Sequence, residues 1–434
     1  MMQSFAERVK AAPRAATSNG ESMPEPRAAE RHESLLIKAL TCMMFFTFAM
    51  TTDAVGSVIP TLLEEFHLSL RAASAFHYVP MIAIAAGALG LGFLADRVGR
   101  KKTIVLGLAI YGVSSLLFAF GDRFGYFVVL LGAAGIGVSV FKIGALALIG
   151  DFSRSTREHT TFMNAVEGFF AVGAIVGPAI VATLLADGLS WKYLYVIAAG
   201  ICALLLATAS IARYPAMTSA AGSVATLSQT LRKMRDGYAL GFSSLIMLYV
   251  AVEVAIYVWM PTYLQSYAGP SPRLATYALT IFFVLRAAGR FLGAWFLGKL
   301  SWSAVLVAFS AAILACFAGS LYGGADYAVY LLPLSGLFMS VIYPTLNSKG
   351  ISCFPRSEHG AVAGVILFFT AFAAAAGPLA MAAVSDALGD IKFGFVLATG
   401  FALLLFGGLL LNRLLDPAGP RLAGRNASDY AEAH

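Results

Sequence analysis

Gly92-Phe93-Leu94-Ala95-Asp96-Arg97-Val98-Gly99-Arg100-Lys101-Lys102 separates two long apolar runs, and it holds one acid, four cations and two glycines. Gly92 and Gly99 suit a close approach and a tight turn. Asp96 is placed to cap or pair at a neighbouring helix end, and the basic run belongs beside a headgroup surface. A turn of this composition is useful only between two segments that leave and re-enter an apolar medium. The flanks therefore decide the fold.

They are apolar along nearly the whole chain. Apolar residues are 59% of 434 and charged residues 12%, with a mean hydropathy of +0.79. A soluble chain carries about 25% charged residues, so a fold of this length could not clothe its surface in water. Lipid is the solvent. The 42 glycines fit helices packed closely in a bilayer. The net charge of +7 does not indicate nucleic acid, because the cations sit in short loops between apolar runs. Cys42, Cys202, Cys316 and Cys353 have no metal or disulfide spacing and read as small buried hydrophobes.

Twelve apolar stretches follow one another at about 37–62, 73–95, 103–120, 124–150, 160–186, 191–212, 240–266, 274–298, 302–322, 327–350, 359–385 and 392–413. Each has roughly the 20 residues that cross a bilayer core, and only helices satisfy their own backbone there. The sequence predicts an all-α membrane protein of twelve transmembrane helices, here spans 1 to 12. Residues 1–35 are polar, lack the apolar core of a signal peptide, and read as a disordered tail. Cations gather after span 2, after span 4 (Arg154, Arg157), after span 6 (Arg213, Arg232, Lys233, Arg235) and at the end (Arg413, Arg421, Arg425). The other loops carry mostly single cations: Arg71, Arg123, Lys192, Arg273 and Lys392. The richer side is cytoplasmic. This predicts a multi-pass protein of a bacterial inner membrane with both termini, including the tail 414–434, in the cytoplasm.

The long loop 213–237 divides the spans six and six, giving halves at 36–212 and 238–413. Matches recur at an offset near 200 residues. Asp53 in span 1 matches Glu253 in span 7, and Pro60 matches Pro261 one residue out of step. Gly177-Pro178 matches Gly377-Pro378, and Gly92-Phe93-Leu94 loosely matches Gly293-Ala294-Trp295. Four matches in order imply two related halves.

The loop 92–102 resembles the signature loop of the major facilitator superfamily. That resemblance implies the major facilitator fold over about 37–413, a carrier rather than an enzyme, and a conformational role for Gly92, Asp96, Arg97, Gly99 and Arg100. Under it Asp96 stabilises the outward-open state. A narrower resemblance rests on Leu248-Tyr249-Val250-Ala251-Val252-Glu253-Val254-Ala255-Ile256 and on Tyr343-Pro344-Thr345-Leu346-Asn347-Ser348-Lys349-Gly350, which are similar to the fucose–proton symporter family. Two departures accompany it. That family's span 1 carboxylate falls at Gly56, with Asp53 one turn earlier, and its span 4 carboxylate falls at Val140, with Lys142 two residues on. Gly173, Gly177 and Pro178 resemble a glycine-proline motif of antiporters, although close packing and a bend explain them equally.

Ionisable residues far from either interface are expensive, at least about 2.5 kcal/mol on insertion scales, so they face a cavity or a partner. Asp53 and Glu253 lie near the centres of equivalent spans and are expected to face each other across a central cavity. Burial disfavours a carboxylate's charge, which brings proton binding towards working pH. Lys142 and Glu167 lie at similar depths in spans 4 and 5, so an ion pair and a substrate-binding lysine are both open. Arg286 is expected to pair with Glu253 or with a substrate anion, and Arg290 to be structural. His77 reads as a packing residue more readily than as a proton relay. Tyr249, Tyr257, Trp259 and Phe141 are candidates to stack on a sugar ring.

The expected site therefore has proton-coupling residues Asp53, Glu253 and Glu167 and substrate-binding residues Lys142, Arg286, Tyr257 and Asn347. Neither cofactor nor metal is expected, since no nucleotide loop, metal cluster or nucleophile elbow occurs. The expected partners are a small-molecule substrate, protons and the bilayer, with the chain acting as a monomer. The leading expectation is proton-coupled uptake of a sugar or a sugar-acid-like anion. The alternative is a proton antiporter exporting a drug or metabolite.

Overall fold

The computed structural model describes residues 28–91, 94–152, 156–212, 214, 232–297, 299–354 and 358–423. Of the sequence-predicted tails 1–35 and 414–434, residues 1–27 and 424–434 lie outside the described residues, as do most of the linker, Arg154 and Arg213. Among the described residues the regular structure is entirely helical. The first half comprises α1 (Ala28–Thr52), α2 (Val55–Phe66), α3 (Leu70–Ala73), α4 (Ala75–Leu91), α5 (Leu94–Arg97), α6 (Arg100–Leu117), α7 (Phe124–Phe152), α8 (Thr156–Ala186) and α9 (Tyr193–Ile211). The second comprises α10 (Gly237–Tyr263), α11 (Pro272–Leu297), α12 (Trp302–Gly323), α13 (Ala325–Met339), α14 (Ile342–Ser352), α15 (His359–Leu388) and α16 (Ile391–Leu415).

Among the described residues, eleven crossings are long and apolar enough to traverse a bilayer. The twelfth, α4, has 17 residues, about 26 Å of helix. Large apolar side chains point outward along these helices. Ile211 is 83% exposed and Phe291 82%, positions that water would penalise and lipid favours. Helix starts are fixed by short polar caps. Asp236 accepts from the backbone N–H of Tyr238 and Ala239 (2.9 and 3.2 Å), and Asp390 accepts from that of Lys392 (2.8 Å). Helix α1 begins at Ala28, inside the stretch read from sequence as a tail.

The twofold relation between the halves is visible in which helices touch. α1 packs on α8 and α9 as α10 packs on α15 and α16; α4 packs on α7 as α11 packs on α13; α6 packs on α9 as α12 packs on α16. The glycine-proline pairs sit at equivalent places in this pattern. A Cβ at Gly177 would run into the Met50 carbonyl, and one at Gly377 would touch Ala251 Cα at 3.4 Å. Gly173 likewise faces the Phe46 carbonyl. Close packing of α8 on α1 thus accounts for the glycines of the antiporter-like motif.

Among the described residues, spans 1 and 10 are not single helices. Span 1 breaks at Asp53-Ala54 and span 10 at Ser340-Val341, where the sequence predicts uninterrupted helices. In span 1, Thr51 and Thr52 both donate their hydroxyls to the Phe48 carbonyl (3.1 and 2.9 Å), competing with the helix's own donors. In span 10 the last carbonyl of α13, Met339, is met by the Tyr249 hydroxyl at 2.9 Å.

Gly99 precedes α6 with φ +97° and ψ +150°, a conformation open in practice to glycine alone. Gly99→Val is expected to cost about 1–3 kcal/mol, read as a lower unfolding temperature of the purified protein. An unchanged temperature would contradict the strain.

Candidate functional site

Twelve crossings bring the described chain back to the face on which it starts, here the terminal face, and the opposite face is the distal one. The halves meet on the distal side. α2 packs along α10, α3 and α4 along α15, and α8 along α11. A Cβ at Gly56 would collide with the Tyr257 carbonyl, so only glycine lets the two backbones come so close. Because spans 1 and 7 run in the same direction, this contact sets Asp53 and Glu253 at the same depth near the middle of the bundle.

Glu253 lies halfway along α10, is 7% exposed, and is ion-paired through Oε1 with Nη2 of Arg286. The carboxylate across the interface has no such partner. Asp53 is half-buried in the break of span 1, and its carboxylate makes no hydrogen bond or ion pair with a described residue. It lies within electrostatic range of Arg286, Glu253 and Lys142. The break matters chemically, because the carboxylate sits between two helix ends rather than on a closed helix face.

Lys142 and Glu167 do not pair. The Lys142 ammonium lies over the rings of Phe48 (4.7 Å) and Phe45 (5.2 Å), and Glu167 is exposed on α8 within electrostatic range of it. The ring faces of α1 offer the ammonium a cation–π site, whereas Glu167 turns towards the open side. Arg290 is exposed one turn from Arg286. Asn347 is half-buried on α14. Of the aromatic candidates, Tyr249, Trp259 and Phe141 are fully enclosed, and the Trp259 indole donates to the Pro378 carbonyl at 3.1 Å. They hold the scaffold together. Tyr257 alone of the four is half-buried, between His77 and Phe283 at 5.5 and 6.3 Å. Of the signature loop, Gly92 and the Asp96 side chain lie outside the described residues; Arg97 is exposed on α5.

The sequence reading missed the closure of the distal face. Asp386, near the end of α15, accepts from the backbone N–H of Leu70 and of Arg71 at 2.9 Å each. One carboxylate thus caps the start of α3 from the other half of the protein. Gln265 donates to Glu64 (3.3 Å), and the Thr183 and Tyr277 hydroxyls share a hydrogen bond at 3.3 Å. Deeper in, Nε2 of His77 meets the Ala374 carbonyl at 3.1 Å, so this histidine is a cross-half fastener. Ser69-Leu70-Arg71 carries a helix-start signal, but nothing in one sequence says that an acid 316 residues away completes it.

Hydrogen bonds to a charged group are worth about 1.5–3 kcal/mol, so Asp386→Ala should open the distal face more often. A cysteine placed at Ala374, with the four native buried cysteines replaced, should react about tenfold faster with an impermeant maleimide from that face. Equal rates with and without Asp386 would sink the latch.

A family model described as Major Facilitator Superfamily matches residues 41–378. The L-fucose-proton symporter of Escherichia coli strain K12 is 23% identical over 81% of this chain and 87% of its own length. The glucose/galactose transporter of Brucella abortus is 23% identical over 88% and 95%. Among solved structures, a bacterial homologue of the human lysosomal transporter Spinster, inward-facing and occupied, superposes with a TM-score of 0.73 at 14% identity, covering 90% of this chain and 98% of that one. Twelve crossings, paired six-helix halves and the family match agree: the chain belongs to the major facilitator superfamily and is a membrane carrier, not an enzyme.

Proposed function

We propose that this carrier takes up a small polar solute, a sugar or a sugar-acid-like anion, with protons as the coupling ion. The observation that carries the reading is the asymmetry between its two central carboxylates. Glu253 is committed to Arg286, while Asp53 has no partner among the described residues and sits in a helix break at the same depth. A paired carboxylate forfeits its ion pair on taking a proton. An unpaired one has no ion pair to forfeit, so Asp53 is the proton carrier. Glu253 with Arg286 forms the substrate-facing pair, joined by Tyr257, Lys142 and Asn347.

The similarity to a fucose–proton symporter and a glucose/galactose transporter supports a sugar-sized solute and, from the first, protons. The loop cations favour a cytoplasmic terminal face and a bacterial inner membrane. In that orientation the closed distal face is periplasmic, so the fold is the inward-facing state. Asp96, at the other gate, would stabilise the outward-open state, and Glu167 would serve as a second proton site near the cytoplasmic mouth.

The test is uptake into proteoliposomes under an imposed inward proton gradient. Accumulation of a sugar or sugar acid that collapses with the gradient is expected. Uptake that equilibrates without accumulating, whatever the gradient, would refute the coupling.

A further inference from the structure

We propose that the solute is a small hydroxylated monoanion, a sugar acid rather than a neutral sugar, whose carboxylate is held by the Lys142 ammonium. This rests on reading the chain as a proton-coupled carrier and deepens it to a substrate class.

A cation in the middle of a membrane span needs a compensating charge. Arg286 has one in Glu253. Lys142 has two ring faces and no carboxylate among the described residues. Ring faces hold an ammonium more weakly than a carboxylate at hydrogen-bond distance does. A half-buried ammonium has three donors, which two ring faces do not use up, and the same rings would border the carbon frame of a bound acid.

The charge balance of the central region points the same way. Its described cations are Lys142 on α7 and Arg286 and Arg290 on α11; its described carboxylates are Asp53 between α1 and α2, Glu167 on α8 and Glu253 on α10. The charged groups in range of Lys142 itself are Glu167 and Asp53. The other titratable groups nearby are the phenols of Tyr249 and Tyr257 on α10 and Tyr343 on α14, and the His77 ring on α4, which is held by Ala374. Three cations against three carboxylates leave the empty, deprotonated site neutral. A proton on Asp53 leaves one positive charge in excess, within range of a lysine that has no carboxylate partner among the described residues. A monoanion restores neutrality. Proton and anion then bind in each other's favour, and the loaded site crosses the membrane without net charge. A neutral sugar would leave the protonated site charged, and a cationic one would add to the excess.

The sign of the linkage follows. Binding takes up a proton, so the dissociation constant of the anion falls as pH falls, by up to about tenfold per pH unit above the titration of Asp53.

The test uses probes of one carbon frame that differ in charge: D-gluconate and D-glucuronate, neutral D-glucose and cationic D-glucosamine, at equal millimolar concentration with the purified full chain. A ligand of the folded state raises the unfolding temperature. The acids should protect, more at about pH 6 than at about pH 8, and the other two should not. Lys142→Met should weaken the acids about 30-fold or more in Kd. Lys142→Arg should keep most of the affinity, and Asp53→Asn should make protection independent of pH. The inference is overturned if glucose or glucosamine protects as well as the acids, if protection survives Lys142→Met, or if neither acid protects. Failure of the carrier reading looks different: the acids protect and depend on Lys142, yet cross no proteoliposome membrane.

Discussion

Asp53→Asn is expected to abolish accumulation driven by a proton gradient while leaving exchange of substrate across the membrane intact. A gradient of one pH unit is worth about 1.4 kcal/mol per proton, which supports up to tenfold accumulation. In the variant that ratio should fall to one. The argument is geometric. Asp53 stands in the break between α1 and α2, free of any described partner and one turn from the Gly56–Tyr257 contact between the halves. Asparagine keeps the size and most of the polarity of the protonated acid, so the site still binds and the halves still rock. Uptake against an imposed gradient and counterflow without one separate the two outcomes. If the variant still accumulates substrate in proportion to the gradient, the proton travels elsewhere, and Glu167 on the open side of α8 becomes the candidate.

The second large effect concerns the pair beside it. Glu253→Gln leaves the half-buried Arg286 guanidinium without its counter-charge, and breaking a buried pair in this way costs up to about 3–5 kcal/mol. Transport should fall by about 100-fold or more, equivalent to ~3 kcal/mol, and the unfolding temperature should drop with it. Glu253→Gln combined with Arg286→Met should recover much of the stability without recovering transport, because no uncompensated charge is left behind. A double-mutant cycle on the unfolding free energy reads the coupling directly. Strict additivity of the two single changes would show that the ion pair contributes nothing to the folded state.

The architecture was legible because lipid imposes a single rule on every span: about 20 apolar residues, helical throughout, with cations in the loops. The repeat was legible because packing glycines recur where the halves repeat their contacts, as at Gly177 on Met50 and Gly377 on Ala251. Within the site, Glu253 and Arg286 were readable as a pair because both are charges at mid-span with no nearer partner. Lys142 with Glu167 had the same warrant and is not paired. Depth along a helix can be read from spacing, but the rotation that turns one side chain to Phe45 and Phe48 and the other to open space cannot. The break at Asp53 depends on threonine hydroxyls choosing the Phe48 carbonyl, a choice that helices often survive. The Asp386 latch joins residues that no local pattern connects.

The contact of Gly56 with the Tyr257 backbone has a mechanical consequence. Two rigid bodies that rock need a fulcrum, and the place where main chain touches main chain is the stiffest available. Beyond it, α2 runs ten residues to Phe66, about 15 Å. A rotation of about 15°, the size seen between subunits of other allosteric proteins, sweeps roughly 4 Å at that far end. Asp53, three residues from the pivot, would move by only about 1 Å. The lever is therefore long at the gate and short at Asp53: a shift of about 1 Å beside the pivot goes with roughly 4 Å at the distal end of α2. A bulkier residue at Gly56 would shift the pivot itself and change both arms at once.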